Sequence, residues 1–132
     1  MIQLRLKVLL EPIGVPVDYI EPEKEMSDFF IVAFDNEQMI GCCVLSPKNG
    51  NMIQLRQMAV LPAWQGKGVG AAIIQFAEKT AKQNGYQTIM MHARNPVIAF
   101  YKKNGYTVAG KEFFEVGIGH HKMSKRLTEP FK

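Results

Sequence analysis

The sequence predicts an α/β (α+β) fold in which one mixed β-sheet with flanking helices forms a single domain over residues 1–132. A chain of this length is typical of one domain and is long enough to bury about two-thirds of its unfolded surface. Apolar runs of strand character stand towards both ends and favour antiparallel hairpins there. Between them, a helix, a short strand and a second helix predict a crossover connection and one parallel strand pair.

The first ten residues fit two kinds of structure. Apolar residues at every second position from Ile2 to Leu10 are typical of a strand, whereas Ile2, Leu6 and Leu9 also share one face of a helix. The prolines and the glycine that follow predict a mostly irregular segment over residues 11–28.

Three strands joined by tight turns are predicted next. Short runs rich in apolar residues are bounded by Asp, Asn, Pro and Gly, which are the residues that commonly form turns. We expect strands at residues 29–34, 39–45 and 52–61, turns at residues 35–38 and 47–51, and an end to the third strand at Pro62.

The spacing of apolar residues changes at Val69 from that of a strand to that of a helix. Each of two predicted helices ends at an Asn-Gly pair, at residues 84–85 and 104–105, which is a common stop signal. Asn95 and Pro96 begin the second helix as its N-cap and its first helical residue. The remaining apolar runs predict strands at residues 88–92, 107–116 and 120–127.

The composition is that of a soluble globular protein, with 47% hydrophobic and 21% charged residues. No apolar run reaches the roughly 18 to 20 residues that a membrane span needs. Arg5 and Lys7 interrupt the N-terminal apolar run, which does not have the layout of a signal peptide. Cys42 and Cys43 are adjacent and badly placed to bridge each other. We therefore expect a cytoplasmic protein with reduced thiols and no membrane segment.

Positive charge is concentrated in the second half of the chain. The net charge is +4, but residues 1–55 carry −4 and residues 56–132 carry +8. The positive residues are scattered, and aromatic residues do not alternate with them as a stacking platform for nucleic acid requires. We therefore expect a small anionic ligand and no nucleic acid. The acidic residues between positions 18 and 28 are interpreted as a solvated loop.

The most informative segment is a glycine-rich turn between the third strand and the first helix, Gln65-Gly66-Lys67-Gly68-Val69-Gly70. Glycines let the backbone turn tightly and approach a ligand closely. The start of the helix presents unpaired N–H groups and a positive dipole end to the same place. Lys67 adds positive charge, so the turn predicts an anion site.

Two common phosphate motifs fit this turn poorly. A nucleoside-triphosphate loop needs a hydroxyl residue for Mg²⁺, but Ala71 and Ala72 stand where it is wanted. Gly66, Gly68 and Ala71 do satisfy the dinucleotide pattern G-x-G-x-x-A. The strand at residues 88–92, however, does not end in an acidic residue, and three residues separate the preceding strand from the turn, so we disfavour a dinucleotide.

The turn and the residues around it resemble the acetyl-CoA signature of the GNAT superfamily of acetyltransferases. Gln65, Gly68 and Gly70 match the pattern R/Q-x-x-G-x-G/A, and residues 55–62 look like the central strand of that superfamily. Asn95, followed by the sequence AFYKKNGY at residues 99–106, resembles its second block.

The resemblance covers about residues 30–127. The sequence FFEVGI at residues 113–118, with His120 and Met123, is further similar to a small bacterial subgroup whose acceptors are poorly defined.

The resemblance implies acetyl-CoA as cosubstrate. Its pyrophosphate would rest on the N–H groups of the glycine turn, and its pantetheine arm would bond to the central strand as an added strand does, where that strand splays from its neighbour. The implied contacts are Met58, Val60, Gln65, Gly66, Lys67, Gly68, Val69, Gly70, Ala71 and Asn95. No metal is expected, because His120 and His121 are adjacent on a strand and point to opposite faces.

The resemblance also implies that Tyr101 is the general acid, since a phenol can protonate the departing thiolate. A base is expected as well. Many family members carry a Glu on the central strand, but this chain has Arg56 and Gln57 there, which makes proton removal through ordered water more plausible. The candidates, each of which we interpret as structural rather than catalytic, are Glu115, His92 and His120.

The N-terminus departs from the family pattern, in which a strand and one or two helices precede the hairpin. Only 28 residues stand before the strand at residue 29, so the N-terminal elements are expected to be shortened. Residues 4–9 resemble the first helix of the family, which favours a helix over a strand there and implies that the first strand is absent. Its absence would leave a sheet edge for a second copy to cover, as in a homodimer.

The sequence therefore predicts an N-acetyltransferase that moves an acetyl group from acetyl-CoA to a primary amine by direct attack in a ternary complex. The amine would belong to a small molecule or a peptide. The alternative is a non-catalytic module that senses acyl-CoA, which the lack of an obvious base favours.

Overall fold

The computed structural model describes residues 4–10, 28–48 and 50–127, which form one seven-stranded mixed sheet with two helices. The strands are β1 (Leu4–Leu10), β2 (Phe29–Asp35), β3 (Gln38–Pro47), β4 (Met52–Val60), β5 (Thr88–Arg94), β6 (Thr107–Glu115) and β7 (Ile118–Arg126). The helices are α1 (Val69–Gln83) and α2 (Ile98–Lys103), and 3-10 turns at Pro62–Trp64 and Asn95–Val97 come before them.

The predicted single mixed sheet is confirmed. The strand order is β1-β2-β3-β4-β5-β7-β6. The crossover through α1 makes β4 and β5 parallel, and every other neighbouring pair is antiparallel. Among the described residues, no helix is both long and apolar enough to cross a bilayer.

Both helices end at the predicted Asn-Gly pairs. Asn84 Nδ2 donates to the Thr80 carbonyl at 2.8 Å, and Asn104 Nδ2 donates to the Phe100 carbonyl at 2.9 Å. In each case the glycine that follows has a positive φ, and the next N–H donates to the carbonyl five residues earlier. The last carbonyls of each helix are therefore satisfied locally.

The helix expected over residues 4–9 is wrong. These residues form β1, which pairs antiparallel with β2 from Leu4 opposite Asp35 to Leu10 opposite Phe29. The first strand, which was expected to be absent, is thus present at one edge of the sheet. Apolar spacing fits both structures in so short a segment, and pairing with β2 decides between them. The irregular segment predicted for residues 11–28 lies outside the described residues, except for residue 28.

The buried face of α1 packs on the centre of the sheet, and Gly41 in β3 makes the contact close. A Cβ at Gly41 would lie 2.7 Å from Ile73 Cδ1 and 3.0 Å from the Ala59 carbonyl oxygen. Ile73 is fully buried in α1. Side chains larger than hydrogen therefore have no room at this position.

We expect Gly41→Ala to destabilise the protein by about 1–3 kcal/mol, because overpacking forces side chains and backbone out of place. The stiffer unfolded chain offsets only about 0.4–1 kcal/mol of this loss. Urea unfolding measures the change, with Gln38→Ala at an exposed position of the same strand as control. Identical unfolding midpoints for Gly41→Ala and the wild type would contradict the close packing.

Candidate active site

The sheet opens in its middle, between β4 and β5. The two strands pair only over Met52–Gln54 and Thr88–Met90, although β4 continues to Val60 and β5 to Arg94. A cavity of about 340 Å³ lies in the opening, lined by residues of both strands and by Val97, Tyr101 and Glu115. The divergence expected for the central strand is therefore present.

A β-bulge in β4 stands at this divergence. The β3–β4 register passes from Cys42 opposite Ala59 to Val44 opposite Arg56, so two residues of β4 face one residue of β3. Gln57, within the bulge, has a φ of 54°. An extra residue bends a strand and re-aims its side chains, which accounts for the departure of β4 from β5 after Gln54.

The glycine turn leads from β4 into α1 and leaves backbone N–H groups free at the start of the helix. Gly66 and Gly68 have φ values of 78° and 87°, which non-glycine residues rarely adopt. Gly68 is the N-cap of α1, no side chain caps the helix, and its first turn contains no acidic residue. The N–H groups of residues 69–71 precede the first helical hydrogen bond, which Ala72 donates to the Gly68 carbonyl. This is the geometry of an anion site.

Gly70 is required for a different reason. A Cβ there would lie 3.0 Å from Phe100 Cζ, so the absence of a side chain lets α1 and α2 approach each other. The start of α1 and the helix that carries Tyr101 are therefore in direct contact.

A second cavity, of about 740 Å³, runs from the glycine turn towards α2. Four residues, Met58, Arg94, Val97 and Tyr101, line both cavities. The two cavities thus meet at Tyr101 and form one path from the anion site into the opening of the sheet.

Most of the predicted cosubstrate contacts lie along this path. The second cavity is lined by Met58, Val60, Gln65, Gly66, Gly68, Gly70 and Ala71. The Gln65 side chain also donates to the Val60 carbonyl at 3.0 Å, which ties the turn to the end of β4. Lys67 is exposed in the turn and Val69 is buried under it, and neither lines the cavity.

Asn95, another predicted contact, does not lie on this path. Its Nδ2 donates to Glu112 Oε2 at 2.6 Å, and its Oδ1 accepts from His121 Nδ1 at 2.9 Å. It lines neither cavity. The expected N-cap role of Asn95 is wrong, because the 3-10 turn starts at Asn95 itself and no side chain caps it. The Asn95 side chain instead bonds to residues of β6 and β7, and the sequence around Asn95 does not indicate these partners.

Tyr101 is 6% exposed and faces both cavities. Burial raises the pKa of its hydroxyl to about 12, Cys43 adds to the rise, and Arg94 opposes it. Within the part of the chain that the structure describes, no hydrogen bond occupies this hydroxyl. It therefore keeps its proton at neutral pH and is available as a donor to a bound ligand.

A polar cluster behind Tyr101 fixes α2 to α1 and β7. The Tyr106 ring packs edge-on against the Tyr101 ring with centroids 6.0 Å apart, and its hydroxyl donates to Glu78 Oε2 at 2.9 Å. Lys125 Nζ donates to Glu78 at 3.1 Å and to the Asn104 carbonyl at 3.0 Å. Burial, and then the Glu78 carboxylate, raise the pKa of Tyr106 above its ordinary value.

The three candidate bases, Glu115, His92 and His120, meet in the structure. His92 Nδ1 lies 2.9 Å from Glu115 Oε2, and His120 Nε2 lies 3.6 Å from Glu115 Oε1. His92 and Glu115 line the first cavity and His120 does not. The register of β5, β6 and β7 brings these side chains together, and no local pattern in the sequence predicts that register.

No group of three or more His, Cys, Asp or Glu residues within the described ranges could hold a metal ion. His120 Nδ1 donates to the Ile118 carbonyl at 2.7 Å, whereas His121 Nδ1 donates to Asn95. These adjacent histidines thus bond to different partners.

Comparison with known proteins gives one family. Residues 26–108 match the family model described as the acetyltransferase (GNAT) domain. The chain is also 32% identical over 123 residues to YjcF of Bacillus subtilis, which is named an uncharacterized N-acetyltransferase. That match covers 92% of this chain and 87% of YjcF.

Solved structures share the fold. A Lactobacillus plantarum protein assigned as an N-acetyltransferase has a TM-score of 0.80 at 19% identity, over 95% of this chain and 99% of that one. A GNAT family acetyltransferase of Elizabethkingia anophelis, solved with acetyl-CoA bound, has a TM-score of 0.67 at 19% identity, over 92% and 97% of the two chains.

We expect Tyr106→Phe to destabilise the protein by about 1 kcal/mol, because the half-buried Glu78 loses a hydrogen bond. The raised pKa of Tyr106 stabilises the fold below pH about 10, where unfolded Tyr is protonated, and this stability declines as pH rises further. Urea unfolding at pH 7 and in steps above pH 10 measures both effects. Tyr86→Phe is the control, and an equal pH dependence in Tyr106→Phe and the wild type would contradict the assignment.

Proposed function

We propose that this chain, which belongs to the GNAT family of acetyltransferases, joins an acetyl group to a primary amine by direct attack inside a complex that holds acetyl-CoA and the amine together. The family resemblance of its sequence is confirmed, and the protein is an acetyl-CoA-dependent N-acetyltransferase. One observation carries the proposed reaction: the anion site at the start of α1 opens into a path that passes Tyr101 and enters the sheet.

The residues along the path fit the parts of acetyl-CoA. The N–H groups at the start of α1 suit the pyrophosphate, and Lys67 adds charge beside it. Beyond Gln54, β4 does not pair with β5, so the pantetheine arm can bond to the main chain near Met58 and Val60. The Elizabethkingia anophelis protein, which shares the fold, was solved with acetyl-CoA bound, and this supports acetyl-CoA as the ligand. Asn95 stays a predicted contact, although its side chain bonds to Glu112 and His121 and lines neither cavity.

Tyr101 is the proposed proton donor to the departing thiolate. Its hydroxyl is protonated at neutral pH, as an ordinary phenol with a pKa of about 10 is, and burial raises its pKa further, to about 12. Transfer of the Tyr101 proton to sulfur lets CoA leave as a neutral thiol. Without that proton CoA leaves as a thiolate, whose conjugate thiol has a pKa of about 8.5. Its position where the two cavities meet supports this role, because the thioester would join the pyrophosphate path to the acceptor cavity there.

The amine would enter the cavity between β4 and β5. A volume of about 340 Å³ suits a small molecule or the end of a peptide. Two further expectations stay predictions: that the protein binds no nucleic acid, and that it forms a homodimer. Cys42 and Cys43 are free, which fits the cytoplasmic location that we propose.

A second candidate function is an acyl-CoA sensor without turnover. It is favoured by the central strand, where Arg56 and Gln57 replace the expected carboxylate and Arg56 Nη1 donates to Ser46 Oγ at 3.0 Å. A screen of CoA thiol release with amino acids, polyamines and aminoglycosides separates the two. Tight acetyl-CoA binding without thiol release from any amine would favour the sensor.

We expect calorimetry to show acetyl-CoA binding, and Gly68→Ala to weaken it about fivefold. Strain of about 1 kcal/mol for an alanine at this φ makes the free turn relax away from the conformation that binds the anion. Gly85→Ala is the matched control, since Gly85 has a φ of 90°, equally open space around its Cβ position and a place at the other end of α1. Both variants should lose similar stability, and only Gly68→Ala should lose affinity. Absence of binding by the wild type at hundreds of micromolar would refute the proposal.

We expect Tyr101→Phe to keep its affinity for acetyl-CoA and to lose about 100-fold in turnover, the usual scale for a general acid. The loss should be greatest at low pH and should shrink only as pH approaches the pKa of Tyr101, about 12, where the wild type also loses its donor. Steady-state kinetics from pH 6 to about 10 measure it, with Tyr86→Phe as control. Unchanged turnover would remove Tyr101 from the mechanism.

A further inference from the structure

Three side chains near the ends of β5, β6 and β7 share one face of the sheet: His92, Glu115 and His120. The β5–β7 register sets Arg94 opposite His120, and the β6–β7 register sets Glu115 opposite Ile118. Paired residues of antiparallel strands share a face, as do alternate residues along a strand. Glu115 therefore reaches from the edge strand across β7 to His92.

The contact between His92 and Glu115 fixes which ring nitrogen of His92 can take a proton. The Nδ1–Oε2 distance is 2.9 Å, and an ionised carboxylate only accepts, so Nδ1 is the donor. The lone pair of the neutral ring then lies on Nε2. Phe113 packs edge-on against the ring with centroids 5.0 Å apart and restrains it. A carboxylate that orients an imidazole in this way is a common device for making a base.

His120 is not suited to the same role. It is buried, its Nδ1 donates to the Ile118 carbonyl, and it stacks on Phe113 with centroids 5.7 Å apart. It does not line the cavity of the sheet opening. Its contact with Glu115 at 3.6 Å instead helps to hold the carboxylate in place.

The other charged groups near His92 do not replace it. Arg56 and Arg94 line the same cavity as permanent cations, and Lys122 stands opposite His92 in the β5–β7 register. The phenol of Tyr101 has the proposed role of donor. Among the described residues that line the cavity, His92 is thus the one whose neutral form offers a nitrogen lone pair.

We infer that His92, oriented by Glu115, accepts the proton that an amine must lose before it attacks the thioester. The inference rests on the proposed function and assigns the base that the central strand does not supply. Glu115 acts through His92 and is a positioning residue. The proton passes from amine to ring directly or through one water molecule.

The proton balance is complete without another reactant. The ammonium gives one proton to His92 Nε2, and the nitrogen lone pair forms the bond to the thioester carbon. The carbon–sulfur bond breaks, and the sulfur takes the proton of Tyr101. The amide nitrogen gives a second proton to the Tyr101 phenolate, which restores the phenol. His92 releases the first proton to solvent. The products are an amide, free CoA and one proton.

His92→Asn is the direct test, because an Asn amide still donates to Glu115 but cannot take the proton. Turnover at pH 7 should fall about 100-fold with acetyl-CoA affinity unchanged. The loss should shrink as pH rises, since more of the amine is then already unprotonated. Free imidazole should restore part of the turnover of His92→Ala, which a purely structural role would not allow.

Glu115 is tested by two variants that differ in what they keep. Glu115→Gln retains an oxygen that accepts from His92 Nδ1, and we expect a loss of about tenfold, whereas Glu115→Ala should approach the loss of His92→Asn. Glu37→Gln, in the exposed β2–β3 turn, is the matched control for removal of one carboxylate. All rates use the most active amine from the thiol-release screen.

The outcomes separate the inference from the proposed function. A wild type that neither binds acetyl-CoA nor acetylates any amine refutes the proposed function. A wild type that acetylates, with a His92→Asn variant of equal rate at every pH, overturns the inference alone. If His92→Asn does not fold, the Glu115 variants decide, and wild-type rates in both would overturn it.

Discussion

The strands β4 and β5 pair over only three residues each, and the rest of the site depends on this short pairing. Parallel strands joined by a crossover helix normally continue side by side, but here hydrogen bonding ends at Gln54 and Met90. The bulge at Gln57 bends β4 away and opens the sheet where Tyr101 and Glu115 reach it. A continuous ladder would close the cavity and would occupy the main-chain groups to which we propose that the pantetheine arm bonds.

Features with local causes could be predicted from the sequence. The limits of α1, the two Asn-Gly stops and the glycine turn each depend on residues within about one helical turn of one another. The N–H groups of residues 69–71 are left unpaired by the same local geometry, so the geometry of an anion site was also predictable. The family resemblance then implies acetyl-CoA as the ligand of the proposed function.

Features set by strand pairing could not be predicted in the same way. The apolar spacing in β1 fits a helix or a strand, and its pairing with the edge of β2 decides for a strand. The Asn95 side chain bonds to Glu112 and His121 rather than to its own turn, because an irregularity in the β6–β7 register aims Glu112 at it. His92 and Glu115 are 23 residues apart, and their contact follows from the register of three strands.

The two cavities share four residues, but each also has a lining of its own. The turn and helix start that suit the nucleotide thioester lie at residues 58–71, whereas Glu115 stands at the tip of the β6–β7 hairpin, where Val116 is almost fully exposed. A change in the length of this hairpin would therefore move Glu115 away from His92 and from the cavity, while the glycine turn would stay in place.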